Sequence, residues 1–167
     1  MSDHPVRARL CRLLYTSRMA PPAAGAPPLD LHALARSSAA ANSKVAITGS
    51  LLLVDGVFVQ ILEGPVAMVE TTFERICADL RHRDLQLVDL VDTDARLFGE
   101  WGMACLDAGG DLPQSLRSDA QDVRCLVGVN AAAAVRQMKE LFAAGLPALR
   151  QTGGCAPAPV AATASPA

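Results

Sequence analysis

Two apolar, β-branched runs separated by only two residues constrain the fold of this chain more than any other feature. The runs are Val45–Val54 and Val57–Leu62, and Asp55-Gly56 joins them. Asp-Gly between two such runs is typical of a type I′ hairpin, in which both turn residues adopt positive φ. The chain is therefore predicted to contain an antiparallel hairpin, and the elements around it must cover the resulting sheet.

A strand and a helix are predicted before this hairpin. The apolar segment Val6–Ser17 stops ahead of paired prolines, which is typical of a strand that leads into a loop. Asp30 can cap a helix whose inward positions recur every three or four residues and end at Asn42. Asn42 is therefore predicted to end the buried face of the first helix.

A second helix and two further strands are predicted after the hairpin. Pro65 can begin the helix, whose predicted apolar face comprises Val66, Val69, Phe73, Ile76 and Leu80. The run Leu85–Val91 predicts a fourth strand, and Trp101, Met103 and Cys105 alternate as if on one face of a fifth. The predicted class is α+β, a ferredoxin-like β-α-β-β-α-β-β sheet with two helices on one face.

The remainder of the chain predicts a helical extension over residues 112–146 and a disordered tail over residues 151–167. Asn130 can cap a helix that Gly145 would stop. The apolar stripe of that helix comprises Val135, Met138, Leu141 and Phe142. The stripe is either buried on the free face of the sheet or presented to another chain, and its spacing favours burial. The tail is mostly Ala, Pro, Gly, Thr and Ser without periodicity.

Charge and cysteine content exclude several classes of function. Lys and Arg number 15 against 17 Asp and Glu, without a long basic run, which argues against a nucleic-acid partner. The 5 cysteines are widely spaced and never form C-x-x-C, so they predict reduced thiols in a cytoplasmic protein. With only 3 histidines beside them, no metal site is expected. No uncharged apolar stretch approaches the about 20 residues of a membrane span.

Three polar side chains fall where the predicted elements should be dry. Gln60 interrupts an apolar strand, Tyr15 ends the first strand, and Asn42 ends the buried helix face. Taken alone, Gln60 can meet a backbone carbonyl or a water, Tyr15 can be a core residue, and Asn42 can be a helix C-cap. Together they outline a polar slot with an apolar floor, which suits a flat heteroaromatic cofactor.

The chain also carries five short motifs in a fixed order. They are Leu13–Ser17, Asn42–Gly49, Phe58–Pro65, Asp79–Asp84 and Arg96–Met103. This ordered set resembles the BLUF family, blue-light sensors that use FAD. The similarity predicts a BLUF-like FAD-binding photosensor domain over residues 6–107, with the ferredoxin-like sheet that the pattern alone predicts.

The resemblance implies a role for each motif residue. Tyr15 would be the photochemical electron and proton donor, and Gln60 would be the amide between that tyrosine and flavin N5 and O4. Asn42 would bind the polar edge of the isoalloxazine, and Arg81 and Asp79 would contact the flavin. FAD would be held without a covalent bond.

The sequence departs from the family at three places. A Pro/Ala-rich stretch, residues 18–28, is inserted after the first strand, and Ala41 stands where many members have a second polar residue. We expect both departures to lower flavin affinity. Ala46 replaces the common glycine before Ile-Thr-Gly, which we interpret as a small change within a strand.

By this resemblance the chain is a blue-light photoreceptor that signals through a light-induced change in the Tyr15–Gln60–flavin hydrogen bonds. Trp101 and Met103 would respond to that change. We expect no catalytic activity of its own, so the signal would pass by contact to an unidentified protein partner or within a homo-oligomer.

Two other functions stay open on the residues alone. One is a flavin-free ferredoxin-like module that binds a metabolite or a protein, which leaves the co-occurrence of Tyr15, Asn42, Gln60 and Trp101 unexplained. The other is a small acylphosphatase-like hydrolase, which rests on fold analogy alone because the sequence has no evident nucleophile–base pair or phosphate loop. A yellow protein that releases FAD on denaturation would support the photoreceptor.

Overall fold

The computed structural model describes residues 9–110 and 112–151. Its elements in chain order are β1 (Leu10–Met19), α1 (Leu31–Ser43), β2 (Thr48–Val54), β3 (Val57–Pro65), α2 (Val66–Cys77), β4 (His82–Thr93), β5 (Ala104–Asp107), α3 (Gln114–Val127) and α4 (Ala131–Gln151).

The five strands form one mixed sheet in the order β4-β1-β3-β2-β5. Strand β1 pairs antiparallel with both β3 and β4, β2 pairs antiparallel with β3, and β5 runs parallel to β2 at the edge. The predicted α+β ferredoxin-like sheet with an added edge strand is confirmed. Strand β3 is central, and its Gln60 lies directly opposite Tyr15 of β1.

The predicted hairpin is confirmed, but its first strand is shorter than expected. Asp55 and Gly56 have φ values of 50° and 73°, as a type I′ turn requires. Because β2 begins only at Thr48, Ala46 precedes it and takes a φ of 56°. The interpretation of Ala46 as a small change within a strand is therefore wrong. A residue with a Cβ in this left-handed region costs about 1–2 kcal/mol.

Helices α1 and α2 pack on one face of the sheet, which we call the site face. Asp30 caps α1 by accepting a hydrogen bond from the Ala33 amide at 2.9 Å, as predicted. Helix α2 begins after Pro65 as predicted but ends at Cys77. Leu80 was predicted on its buried face, and this is wrong, because Leu80 lies in the following turn and is 92% exposed.

Helices α3 and α4 cover the opposite face of the sheet, which we call the far face. Helix α3 lies within the helical extension predicted for residues 112–146, but it was not predicted as a separate helix: its buried residues Ala120, Val123 and Val127 recur at helical spacing, but charged residues lie between them. Asn130 caps α4 by accepting from the Ala133 amide at 3.0 Å. The α4 stripe defined above is buried in the far-face core, so the predicted burial is confirmed.

Helix α4 does not stop at Gly145 and runs through Pro147 to Gln151. A Cβ on Gly145 would lie 3.0 Å from a methyl carbon of Leu106, so this glycine serves the close packing of helix on strand. Leu146 is buried as well, and these contacts outweigh the helix-breaking tendency of glycine. Of the tail predicted at residues 151–167, only Gln151 lies within the described residues. None of the helices described is long and apolar enough to cross a membrane.

Candidate functional site

The centre of the site face holds a hydrogen-bonded chain of three buried side chains. The Tyr15 hydroxyl donates to Oε1 of Gln60, and Nε2 of Gln60 donates to Sδ of Met103 at 3.5 Å. Tyr15 is fully buried and Gln60 is 5% exposed. A thioether sulfur is a weak acceptor, and an amide nitrogen carries two N–H groups. Gln60 therefore has hydrogen-bonding capacity to spare for a ligand.

Aromatic rings enclose the Tyr15 phenol. The ring of Phe73 lies 5.4 Å from that of Tyr15, and the ring of His82 lies 6.3 Å away in edge contact. Burial raises the pKa of the Tyr15 hydroxyl far above its usual value, and nearby Cys77 and Asp79 add to the shift. The phenol therefore stays protonated and acts as the hydrogen-bond donor to Gln60.

His82 is a neighbour of this tyrosine that the sequence analysis missed. Its Nδ1 lies 2.8 Å from the Ser17 hydroxyl, and its ring lies 4.9 Å from that of Phe58. Burial lowers the pKa of His82, an effect that Asp79 partly opposes and Arg81 reinforces. The alternation of β1 was the available signal, because Ser17 shares the strand face of Tyr15 two residues away.

Asn42 connects α1 to the segment that precedes β5. Its Nδ2 donates to the carbonyl of Gly102 at 2.9 Å, and the residue is 3% exposed. A Cβ on Gly102 would lie 3.3 Å from the Ala39 carbonyl oxygen, so glycine permits this close approach. The amide side chain therefore bridges to a neighbouring segment rather than capping its own helix, which was the alternative left open.

Asp79 and Arg81 lie in the turn between α2 and β4 and pair with each other. The Arg81 guanidinium donates to Oδ1 of Asp79 from Nε at 2.9 Å and to Oδ2 from its terminal nitrogen at 2.5 Å. These bonds lower the pKa of Asp79 and raise the pKa of Arg81. Elsewhere too within residues 9–110 and 112–151, no three metal-ligating side chains come together.

A cavity of about 220 Å³ lies between α1 and α2 above β3. Four of the five predicted flavin contacts line it, namely Asn42, Gln60, Asp79 and Arg81. The fifth, Tyr15, is reached through its hydrogen bond to Gln60. The remaining lining residues are Ser37, Ser38, Ala41, Leu62, Thr72, Arg75 and Ile76. Of these, Ser37, Thr72 and Arg75 were not predicted, because they lie beside the apolar stripes rather than on them.

These residues fit an isoalloxazine ring. The amides of Asn42 and Gln60 offer donors and acceptors to its polar edge, while Leu62 and Ile76 supply apolar contacts. The cavity alone is smaller than the about 300–1,000 Å³ typical of ligand sites. It adjoins a second cavity of about 880 Å³, and Ser37 and Arg81 line both, which leaves room for the rest of a dinucleotide.

The two predicted signalling residues lie on opposite faces of the sheet. Met103 packs with the site-face core, whereas Trp101 packs with the far-face core. The Trp101 ring lies 6.2 Å from that of Phe142, and Nζ of Lys139 lies 4.9 Å from its centroid. The prediction that Trp101, Met103 and Cys105 share one strand face is therefore wrong for Trp101. Strand β5 begins only at Ala104, so alternation does not extend back to Trp101.

Comparison with known proteins identifies related sequences. The family model for sensors of blue-light using FAD, BLUF, matches residues 10–104. The alpha subunit of a photoactivated adenylate cyclase from Euglena gracilis is 41% identical over 91 residues, which is 54% of this chain and 9% of that protein. The chain therefore spans about a tenth of the length of that relative.

Solved structures extend the similarity to the fold. BlrB, described as a BLUF protein in its dark state, is 31% identical with a TM-score of 0.66, over 82% of this chain and 97% of that one. Klebsiella pneumoniae BlrP1, described with FMN and cyclic diGMP, is 32% identical with a TM-score of 0.58, over 68% of this chain and 30% of that one. The chain belongs to the BLUF family of blue-light sensors that bind FAD.

Proposed function

We propose that Tyr15 and Gln60 form the light-driven switch of this sensor, and that its state leaves the site through Met103 and Trp101. The supporting observation is the unbroken chain from the Tyr15 hydroxyl through the Gln60 amide to the Met103 sulfur. Every member of this chain is buried, so water does not compete for its hydrogen bonds.

FAD, when bound, absorbs blue light and supplies an excited state that accepts an electron. Tyr15 would give up one electron to the flavin, and its phenolic proton would leave through Oε1 of Gln60, to which the hydroxyl is hydrogen-bonded. Both return to Tyr15, so the cycle leaves no net chemical change. What persists is a rearranged Gln60 amide, either rotated or tautomerised.

A rotated amide reverses the direction of the hydrogen bonds around Gln60. Its nitrogen then faces the Tyr15 hydroxyl, and its oxygen faces the Met103 sulfur, which loses its N–H donor. In a dry site such an exchange separates two states by about a few kcal/mol. The hydrogen bonding of Met103 therefore changes whenever the Gln60 amide rotates.

The segment from Trp101 to Met103 carries this change to the far face. Asn42 holds the carbonyl of Gly102 between them, and Trp101 packs against Phe142 of α4. A shift of Met103 therefore changes the packing under α4. We infer that α4 passes the signal by contact, to a separate protein or to a second copy of the chain, and the reduced-thiol pattern supports a cytoplasmic setting.

The test of the switch is the absorption spectrum of the flavin-loaded protein in the dark and in blue light. We expect a small reversible red shift in the unaltered chain, and no shift in Tyr15→Phe or Gln60→Leu, although both still hold FAD. Gln86→Leu removes an exposed glutamine from β4 and should keep the full shift. A full shift with normal recovery in Tyr15→Phe or Gln60→Leu would contradict the proposed roles.

The output route is tested separately. Trp101→Ala should keep the red shift but change the rate of dark recovery and the binding of a partner. In the unaltered chain, light should raise amide hydrogen exchange in residues 130–145 more than in Val66–Leu80. Equal exchange in dark and light across residues 130–145 would show that α4 does not carry the signal, and would leave the photochemical roles intact.

A further inference from the structure

A second cavity, of about 880 Å³, opens beside the cavity between α1 and α2, which we call the inner cavity. We call it the proline groove, because its wall includes Pro21, Pro22, Pro27 and Pro28 from the loop between β1 and α1. Leu34 of α1 and Leu80 from the turn after α2 also line it. The inserted stretch, which the sequence analysis treated as a departure harmful to flavin binding, thus builds one side of an apolar groove.

The loop that forms this wall is held in place by backbone hydrogen bonds. The amide of Met19 donates to Gly56 at 2.8 Å, and the amide of Ala20 donates to Arg81 at 2.9 Å. Within the loop, the Ala26 amide donates to Ala23 at 2.9 Å. Prolines fix φ and reduce the freedom that a loop loses on binding, so the groove is preorganised.

The groove adjoins the inner cavity and runs from it along α1 towards the N-terminus of that helix, between α1, the proline-rich loop and the turn after α2. Asn42 marks the inner end and Asp30 the outer end, and 12 residues separate them along α1. At about 1.5 Å per residue, this distance is roughly 18 Å. Ser37 and Arg81 line both cavities and therefore lie at the junction.

We propose that the proline groove binds the adenosine half of FAD. The inference rests on the proposed placement of the isoalloxazine in the inner cavity. A ligand with its ring beside Asn42 and Gln60 reaches the groove only if it is a dinucleotide. Its diphosphate then crosses the junction beside Arg81, whose guanidinium uses Nε and one terminal nitrogen for Asp79 and can donate to phosphate oxygens from the other terminal nitrogen. Its adenine packs against proline and leucine side chains.

The exposure of Leu80 is a further observation that favours a ligand in this groove. Leu80 is 92% exposed although it stands on the rim of an apolar wall. An adenine base laid against that wall would cover it and remove apolar surface from water. FMN lacks the adenosine and cannot make this contact. The groove should therefore make the chain prefer FAD to FMN.

The experiment measures flavin affinity in the dark, so it does not depend on photochemistry. The full chain, freed of flavin, is titrated with FAD, FMN and riboflavin, and binding is followed by the change in flavin fluorescence. We expect FAD to bind about tenfold or more tightly than FMN, which corresponds to about 1.4 kcal/mol. Leu80→Gln should weaken FAD binding about three- to tenfold and leave FMN binding unchanged.

Val129→Gln is the matched control, because Val129 is 87% exposed in the turn between α3 and α4, on the far face. It should change neither affinity. Equal affinity for FAD and FMN, or an equal loss of affinity for both in Leu80→Gln, would show that the groove does not bind the adenosine half. Neither result would contradict the proposed site for the flavin ring. If none of the three flavins binds, the proposed function itself fails.

Discussion

The two faces of the sheet are completed in different ways. On the site face, Tyr15, Asn42 and Gln60 surround or adjoin a cavity, and their polar groups suit a ligand that the chain does not itself supply. On the far face, α3 and α4 close over a core that includes the rings of Phe98 and Phe142. A single sheet thus carries a cofactor site on one face and a core completed by the chain's own helices on the other.

The far face is secured at its rim by a buried carboxylate. Glu63 is fully buried and accepts hydrogen bonds from Arg12 Nε at 2.8 Å and from the amides of Leu97 and Phe98 at 2.8 and 2.9 Å. These bonds attach the loop before β5 to the end of β3. The rings of Phe98 and Trp101 in this loop both contact the ring of Phe142 in α4.

Removal of this carboxylate should have the largest effect on stability. Glu63→Ala leaves Arg12 and the amides of Leu97 and Phe98 without this acceptor, and we expect a loss of about 3–5 kcal/mol in the free energy of unfolding. Urea denaturation of the flavin-free protein measures it. Glu74→Ala, on the exposed side of α2, should change stability by less than about 0.5 kcal/mol. Similar losses in both variants would show that the far-face rim is not anchored by Glu63.

Adjacent residues on β3 offer a direct comparison of the two faces. Ile61 and Leu62 are both fully buried, but Ile61 packs under α3 and α4, whereas Leu62 lines the cavity between α1 and α2 that is proposed to hold the flavin ring. Ile61→Ala should lower the free energy of unfolding by about 2–5 kcal/mol, and the loss should be the same with and without FAD. Leu62→Ala should also reduce the stabilisation that FAD provides, because it weakens binding to the folded state.

Thermal unfolding of each variant, with and without excess FAD, measures this difference. If FAD raises the unfolding temperature of Leu62→Ala as much as that of the unaltered chain, Leu62 makes no useful contact with the flavin. If Ile61→Ala loses that increase, the two faces are not energetically separate.

The pH dependence of stability should arise partly from the site face. Burial lowers the pKa of His82 below its usual 6.5, so the unfolded chain binds a proton more readily than the folded chain. The contribution of neutral His82 is fully present above pH 6.5 and is lost as the pH falls from there towards the lowered pKa. His82→Gln, whose amide can still hydrogen-bond to Ser17, should reduce the dependence of the unfolding temperature on pH between pH 7.5 and 5.5. An unchanged slope would exclude His82 as its source.

The smallest effect should come from Ala46, at the start of the segment that leads into β2. Its φ of 56° disfavours a side chain, whereas glycine adopts this conformation freely. Ala46→Gly should therefore raise the free energy of unfolding by about 0.5–1 kcal/mol, after the greater flexibility of glycine in the unfolded chain is included. Chemical denaturation detects such a gain, and a loss of stability would show that the backbone is not strained there.

Local patterns in the sequence determined much of the site face. The Asp55-Gly56 turn and the Asp30 cap are encoded by neighbouring residues, and both are observed. Gln60 was predicted to be buried because its strand is apolar on both sides, which only a central strand can be. Among the residues that line the inner cavity, Asn42 and Gln60 could therefore be named from periodicity, and Asp79 and Arg81 only from the resemblance of the motifs.

Tertiary structure decided the features that depend on distant contacts. Helix α4 passes Gly145 because that glycine packs against Leu106, a contact between segments about 40 residues apart. Trp101 lies on the far face because the chain bends before β5, and periodicity does not extend through a bend. The proline groove likewise exists only because the inserted loop packs beside Leu80 and α1. Periodicity and capping act within a few residues, whereas faces, rims and cavities are set by segments that meet only in the folded chain.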